Sequence, residues 1–180
     1  MPQIPVQTID DPALAPYREL SRSNLTRASG LFIAEGEKVV ERLIASRFRL
    51  DSILAEPAYA ERYASRVDSE VPIYVAPREL FAATVGFHFH RGVLACGRRQ
   101  PRDGLTRLLA NLPGGRSSTL VVCPDVHDPT NLGSIIRSAA TFGCNGLIAG
   151  RQSADPFSRR VLRVSMGTAL ELPIVESQDY

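Results

Sequence analysis

Several residue types and patterns are scarce in this chain of 180 residues, and each scarcity excludes a class of protein. It has three cysteines, Cys96, Cys123 and Cys144, scattered in apolar runs, which argues against a disulfide framework and favours buried, reduced thiols. No run approaches the roughly 18 apolar residues that a membrane span needs. The start has no basic segment followed by an apolar one, so no signal peptide is predicted. A cytoplasmic protein without a membrane segment is the expectation.

The basic residues are almost all arginine, because Lys38 is the single lysine among 21 basic residues. Arginine is the better ligand for phosphate oxygens and stacks on bases. A GC-rich genome would also enrich arginine, and the net charge is only +2, so composition alone leaves nucleic-acid binding open. Cys123 and His127 lack the CxxC or second ligand pair of a metal centre, and no metal site is predicted.

The apolar pattern predicts two α/β domains. Residues 1–17 are Pro-rich and are predicted to form a loosely held arm. Residues 18–100 alternate short apolar runs with amphipathic helices, which indicates a small parallel or mixed sheet covered by helices. Residues 101–117 contain a Pro-Gly-Gly break and are predicted as a linker. Residues 118–180 begin a second α/β unit.

In that second unit, strands are predicted at 119–126, 146–150 and 172–177, the first of them as a buried strand. The segment DPFSRRVLRVSMGTALE is predicted as one helix, with Asp155 as its cap and Pro156 at its first position. Three strands and two helices are half of a doubly wound domain. The third strand would have an uncovered apolar edge, so we expect the chain to stop before its fold is complete.

The helix NLGSIIRSAATFG, which follows the first of these strands, has two distinct faces. One face is apolar and spaced for packing on a sheet; it consists of Leu132, Ile135, Ile136, Ala139 and Ala140. The other face is polar and consists of Asn131, Ser134, Arg137, Ser138 and Thr141. Ligands of open α/β sheets gather where strands end and helices begin, which makes Asn131 and Arg137 candidate site residues. The pattern alone favours a plainer alternative, in which Asn131 caps the helix and Arg137 is a solvated surface residue.

Three groups of polar residues are candidates for contact with RNA. The first lies on the second helix, where i, i+3 and i, i+4 spacing predicts a cationic ridge of Arg159, Arg160 and Arg163. The second precedes the first strand of residues 18–100 and consists of Arg22, Asn24 and Arg27. The third precedes the last strand of that domain and consists of Arg91 with His88 and His90. Ordinary solvated surface is the alternative for the first group, and the patterns of the other two groups are not specific.

The segment DPTNLGSIIRSAATFG resembles motif one of the SpoU methyltransferases (SPOUT superfamily), whose pattern is D-P-x-N-x-G, a short gap, then R-x-A. Three further segments resemble the family in the same order. They are FIAEGEKVVERLIAS and HRGVLA, which match its substrate-binding domain although Arg91 replaces a more frequent Gln, and DPFSRRVLRVSMGTALELPI, which keeps the family's R-x-S-x-G at Arg163, Ser165 and Gly167. The likeness covers about residues 20 to 177.

The resemblance implies the fold, the reaction and the partners. The fold would be a ribosomal-protein-like α/β/α sandwich followed by an incomplete SPOUT (α/β-knot) parallel-sheet domain. The reaction would be methyl transfer from S-adenosylmethionine to a ribose 2′-hydroxyl of rRNA or tRNA, with Asn131 and Arg137 as catalytic residues. The partners would be RNA and, for the full-length family, a second copy of the chain.

The family's later Glu-Gly and Ser-Leu-Asn segments, which form the knot and bind the methyl donor, do not occur in these residues. By resemblance no residue here is a donor ligand, and we expect the chain alone to be inactive. A non-catalytic RNA-binding module or a truncated remnant is the alternative. A nucleotide-binding oxidoreductase is disfavoured because DPTNLG stands where a G-x-G-x-x-G loop would be needed.

Overall fold

The computed structural model describes residues 3–18, 29–86, 92–100, 104–114 and 117–177. The chain divides into two units, Met1–Arg99 and Gln100–Tyr180. No helix among the described residues is both long and apolar enough to cross a membrane. Both units combine helices with sheets that contain parallel strands, which confirms the predicted mixed α/β class.

The first unit is built on a five-stranded mixed sheet with the order β1-β4-β3-β5-β2. Strands β1, β4 and β3 run parallel, whereas β5 is antiparallel to both β3 and β2. The likeness of this unit to a ribosomal-protein-like sandwich stays a prediction. The strands are β1 (Gln3–Pro5), β2 (Leu31–Glu35), β3 (Arg49–Ala55), β4 (Ile73–Val75) and β5 (Val93–Arg98).

The helices of the first unit follow the predicted pattern. The sequence predicts an apolar face of Val39, Val40, Leu43 and Ile44 for helix α1 (Glu37–Ala45); the first three are buried and Ile44 is half-buried. Helix α2 (Pro57–Ala64) begins at a proline, whose fixed φ suits the first turn. Helix α3 (Arg78–Val85) ends at a glycine with left-handed φ.

The predicted loosely held arm is wrong for residues 3–17, which belong to the folded unit. Strand β1 pairs in parallel with β4, and a 3-10 helix follows at Pro12–Tyr17. Leu14 and Tyr17 are fully buried, and the Tyr17 hydroxyl lies 2.7 Å from the Ser52 hydroxyl on β3. These side chains cover an apolar face of the sheet, and that burial outweighs the entropy of ordering a Pro-rich segment.

The second unit contains a parallel sheet with the order β6-β7-β8, as predicted. Its strands are β6 (Leu120–Cys123), β7 (Gly146–Ala149) and β8 (Ile174–Glu176). The prediction of a buried first strand is wrong, because β6 lies at the edge of this sheet and its Val122 is 50% exposed. An apolar run does not distinguish a central strand from an edge strand, since both bury at least one face.

The segment 101–117, predicted as a linker, contains helix α4 (Leu105–Ala110). Leu108 of this helix is buried against Ile148 and Val175, so α4 packs on one face of the β6-β7-β8 sheet. It belongs to the second unit rather than to a connection between domains. The sequence predicts a short helical pattern that ends in Asn111, and the structure confirms it, but six residues do not reveal which surface the helix packs on.

Helix α5 (Pro129–Thr141) begins where Asp128 caps it. The Asp128 carboxylate accepts hydrogen bonds from the backbone N–H groups of Thr130 at 2.7 Å and Asn131 at 2.8 Å. Both bonds lower the pKa of Asp128, because they stabilise its ionised form, and the bond from Asn131 has the larger effect. The alternative in which Asn131 is the cap is therefore wrong. Gly143 follows the helix with left-handed φ.

Helix α6 (Arg159–Val164) is much shorter than the predicted helix over DPFSRRVLRVSMGTALE. Ser158 caps it, whereas Asp155, the predicted cap, is buried and accepts a bond from the Phe157 N–H. The helix ends in a Schellman turn, in which the N–H of Gly167 donates to the Leu162 carbonyl and Met166 adopts a left-handed φ of 56°. A 3-10 turn at Thr168–Leu170 follows.

The ends of β6 and β7 approach each other closely at Gly150. The Gly150 N–H donates to the Cys123 carbonyl at 2.8 Å. A Cβ atom at Gly150 would lie 2.0 Å from the Pro124 carbonyl oxygen, which is backbone and cannot move aside as a side chain could. Only glycine fits this contact, and the contact brings the two strand ends together.

We expect Gly150→Ala to destabilise the second unit by about 3 kcal/mol, because the added methyl group overlaps the backbone at Pro124. Urea unfolding followed through the backbone amide signals of β6 and β7 measures the change. Gly114→Ala is the matched control, since a Cβ there meets nothing within 4 Å. Equal midpoints for the two variants would contradict the close contact.

Asp128→Ala is expected to lower the thermal stability of the second unit at neutral pH but not in strong acid. The folded pKa of Asp128 is lowered, so its contribution is present above the unfolded Asp pKa of about 3.9 and is lost as the pH falls through the folded pKa. Melting curves from pH 7 downwards test this sign. Asp68→Ala removes an equal charge from an exposed position of the first unit, and it should leave the melting of the second unit unchanged.

Candidate functional site

An open groove lies where β6 ends and α5 begins. Its volume is about 460 Å³, and its lining comes from one continuous stretch of chain: Asp125, Val126, His127, Asp128, Asn131, Ser134 and Ile135. The position agrees with the general rule that ligands of open α/β sheets bind beyond the carboxyl ends of the strands.

A buried serine fixes the loop that forms this groove. The Ser153 hydroxyl donates to the Cys123 carbonyl at 2.9 Å and accepts from the Val126 N–H at 3.0 Å. The Ala154 N–H donates to the Val126 carbonyl at 2.8 Å. The loop after β6 is thereby bonded on both sides of Val126 to the loop after β7, so the groove is rigid and pre-formed.

The predicted apolar face of α5 is confirmed at Leu132, Ile136 and Ala139, which are buried. Ile135 and Ala140, predicted on the same face, are half-buried, and Ile135 lines the groove. Gly133 brings α5 close to α6, because a Cβ atom at this position would lie 2.8 Å from the Val164 Cβ. The opposite face is exposed at all five polar positions: Asn131, Ser134, Arg137, Ser138 and Thr141.

The Asn131 carboxamide and the Arg137 guanidinium have no hydrogen-bond or ion-pair partner among the described residues. They lie six positions apart on one face of α5, with Ser134 between them. Asn131 and Ser134 also line the groove, and Arg137 follows one turn further along the helix. An amide, a hydroxyl and a permanent cation therefore face solvent in one row, where they can bind an anionic, hydroxyl-bearing ligand.

The predicted ridge of Arg159, Arg160 and Arg163 is not evenly exposed. Arg160 is exposed, and its Nε donates to the Thr130 hydroxyl at 3.3 Å. Its charge also contributes to the lowered pKa of Asp128. Arg159 and Arg163 are half-buried and take part in other interactions of the fold. Of the three arginines, Arg160 is placed beside the first turn of α5.

The other predicted RNA contacts, Arg22, Asn24, Arg27 and Arg91, lie outside the described residues, as do His88 and His90. The described strands that follow these two clusters, β2 and β5, are antiparallel neighbours, so they start at opposite ends of the first unit's sheet. Leu31 at the start of β2 pairs with Arg98, whereas Val93 at the start of β5 pairs with Ala55.

The pairing of His127 with Asp125 and the role of Ser153 are not evident from the sequence pattern, which suggests His127 only as a metal ligand with Cys123. Cys123 is buried, which raises its pKa, while His127 is exposed and its Nε2 lies 2.7 Å from the Asp125 carboxylate. Among the described residues, no three potential metal ligands come together. In the sequence, Asp125 and His127 are two positions apart and come directly before Asp128 and Pro129.

Residues 118–180 match the family model described as the SpoU rRNA Methylase family. An uncharacterized tRNA/rRNA methyltransferase from Mycobacterium bovis is 38% identical over 176 residues, covering 95% of this chain and 59% of the relative. The chain therefore spans about three-fifths of the length of this curated relative.

Solved structures agree with this match. The AdoMet-bound rRNA methyltransferase from Sinorhizobium meliloti superimposes with a TM-score of 0.79 at 22% identity, covering 96% of this chain and 64% of that one. The SpoU methyltransferase AviRb from Streptomyces viridochromogenes gives a TM-score of 0.71 at 25% identity, covering 92% and 61%. The matched residues 118–180 contain the groove, the exposed face of α5 and the Schellman turn after α6. Residues 118–180 are therefore similar in sequence to the SpoU methylase family, and the described fold is similar to that of SpoU methyltransferases.

Proposed function

We propose that this chain supplies the acceptor side of an RNA 2′-O-ribose methyltransferase. The reaction is methyl transfer from S-adenosylmethionine to a ribose 2′-hydroxyl of rRNA or tRNA. The observation that carries the proposal is the unpartnered, exposed row from Asn131 to Arg137, which starts at a rigid groove within the segment that matches the SpoU family. Cytoplasmic location and a homodimer are parts of the same proposal.

Arg137 is proposed to hold the RNA phosphate beside the reacting ribose. A guanidinium remains charged at all physiological pH values, so it serves as a permanent anion ligand and not as a proton acceptor. Its fork of donors fixes both the distance and the orientation of a phosphate group. The gain in rate comes from orientation of the 2′-hydroxyl and from stabilisation of charge in the transition state.

Asn131 is proposed to orient the ribose itself. Its carboxamide both donates and accepts hydrogen bonds, which matches a hydroxyl group that has one proton and two lone pairs. Its backbone N–H is bonded to Asp128, so the residue is fixed in the first turn of α5 while its side chain remains available. Arg160, placed beside Thr130, is proposed as a further phosphate contact, together with Arg159 and Arg163, and so are Arg22, Asn24, Arg27 and Arg91.

The described residues fit the acceptor better than the whole methyl donor. S-adenosylmethionine supplies an electrophilic methyl group, and its adenosine needs an enclosed, largely apolar pocket. The groove is open and has only Val126 and Ile135 as apolar lining residues, beside two carboxylates. We therefore place the donor ligands outside these 180 residues. The chain by itself would hold RNA without methylating it.

Arg137→Gln should lower kcat for methyl transfer about 100-fold or more, because one charge-stabilising donor is removed from the transition state. The assay is transfer of a labelled methyl group to rRNA and tRNA by the product of the complete natural gene. Arg107→Gln, on an exposed position of α4, is the charge-matched control and should keep its rate. A fully active Arg137→Gln variant would remove the catalytic role of Arg137.

Calorimetric titration of S-adenosylmethionine into the 180-residue chain should give no saturable heat. The reason is that the groove lacks an enclosed pocket for the adenosine. Titration of the complete gene product is the positive control. Saturable micromolar binding by the 180-residue chain would show that its donor site lies within these residues.

A further inference from the structure

His127 and Asp125 form an imidazole–carboxylate pair in the wall of the candidate groove. The Nε2 atom of His127 lies 2.7 Å from Oδ1 of Asp125, and both side chains are more than half exposed. The same groove is lined by Asn131 and Ser134, the first two residues of the exposed row on α5. A ligand that contacts Asn131 would therefore also meet His127.

The backbone on both sides of His127 is held in place. Val126 is bonded through its N–H to the buried Ser153 hydroxyl and through its carbonyl to Ala154. Asp128, the next residue, is bonded to the first turn of α5. The imidazole thus has a defined position, although it is exposed.

Methyl transfer to a ribose hydroxyl releases a proton, and the residues assigned so far do not accept it. A guanidinium is fully protonated and a carboxamide is not basic at neutral pH. Imidazole is the side chain that exchanges protons most readily in the physiological range. A carboxylate at Nε2 holds the proton on that nitrogen, which leaves the lone pair on Nδ1. The charged groups around the pair are Asp125 and Asp128 in the groove wall, and Arg160 of α6 beside Asp128.

We propose that His127 is the proton acceptor of the reaction and that Asp125 is its positioning residue; the proposal rests on the function proposed above. The 2′-oxygen forms a bond to the methyl carbon of the donor, and the carbon–sulfur bond breaks with its electron pair remaining on sulfur. The hydroxyl proton passes to Nδ1 of His127. Arg137 orients the neighbouring phosphate and carries no proton in this scheme.

The first test is the pH dependence of methyl transfer by the complete natural gene product. The wild-type protein should lose activity on the acid side as one imidazole becomes protonated. His127→Gln should lower kcat about 100-fold and abolish this acid limb, since a general base contributes at least that factor. Asp125→Asn should keep the limb and lower kcat by less than His127→Gln does, because the imidazole remains but loses the carboxylate that orients it. Asp68→Asn, an exposed carboxylate of the first unit, is the matched control.

The outcomes separate this proposal from the one on which it rests. A His127→Gln variant with wild-type rate and acid limb, alongside an inactive Arg137→Gln variant, overturns the role of His127 and keeps the methyltransferase. Absence of RNA methyl transfer by the wild-type protein overturns both.

A second readout does not depend on activity. Nitrogen chemical shifts of His127 in the 180-residue chain should show the proton on Nε2 at pH 8, and Asp125→Asn should mix the two tautomers. A proton on Nδ1 at that pH would contradict the assignment, because Nδ1 would then have no lone pair for the hydroxyl proton. Both substitutions are at exposed positions, so an unchanged melting curve confirms that the fold is kept.

Discussion

The candidate site depends on one buried hydroxyl. Ser153 lies in the loop after β7, yet it bonds to the carbonyl that ends β6 and to an N–H in the loop that follows β6. Gly150 allows this proximity, since any side chain at that position would overlap the backbone of Pro124. The two parallel strands are thus joined at their carboxyl ends as well as along their ladder. This junction fixes the groove wall at Val126.

The polar side chains around the site fall into two groups, those that bond within the protein and those that remain exposed without a partner among the described residues. Asp128 bonds to the first turn of α5, and Arg160 bonds to Thr130, so the capping groups are satisfied within the protein. Gly133 seats the opposite side of α5 against α6. What remains exposed is the row that begins with Asn131 and ends beyond Arg137. These exposed polar groups remain hydrated, so the fold pays no desolvation free energy for them. Their place at the end of a parallel sheet suits them to bind a ligand that is itself charged and hydrated.

The first unit depends on a different buried bond. The buried Tyr17 hydroxyl is hydrogen-bonded to Ser52 of β3. Burial raises the pKa of Tyr17 well above its ordinary value, so the phenol stays neutral. This contact joins the first residues of the chain to β3.

The sequence by itself determined the class of fold, most of the strands and helices, and the two faces of α5, because apolar periodicity records which side of each element is buried. It also determined Asn131 and Arg137 as candidates, through a motif whose residues are adjacent along one helix. Only the tertiary structure decided that residues 3–17 fold onto a sheet, that β6 is an edge strand, and that α6 ends early at a Schellman turn. The contact of Ser153 with Val126 and the groove lined by His127 and Asp125 are likewise visible only in the tertiary structure. These features depend on contacts between residues far apart in the chain, or on backbone turns with no periodicity. Local pattern carries no information about which distant segment supplies the partner.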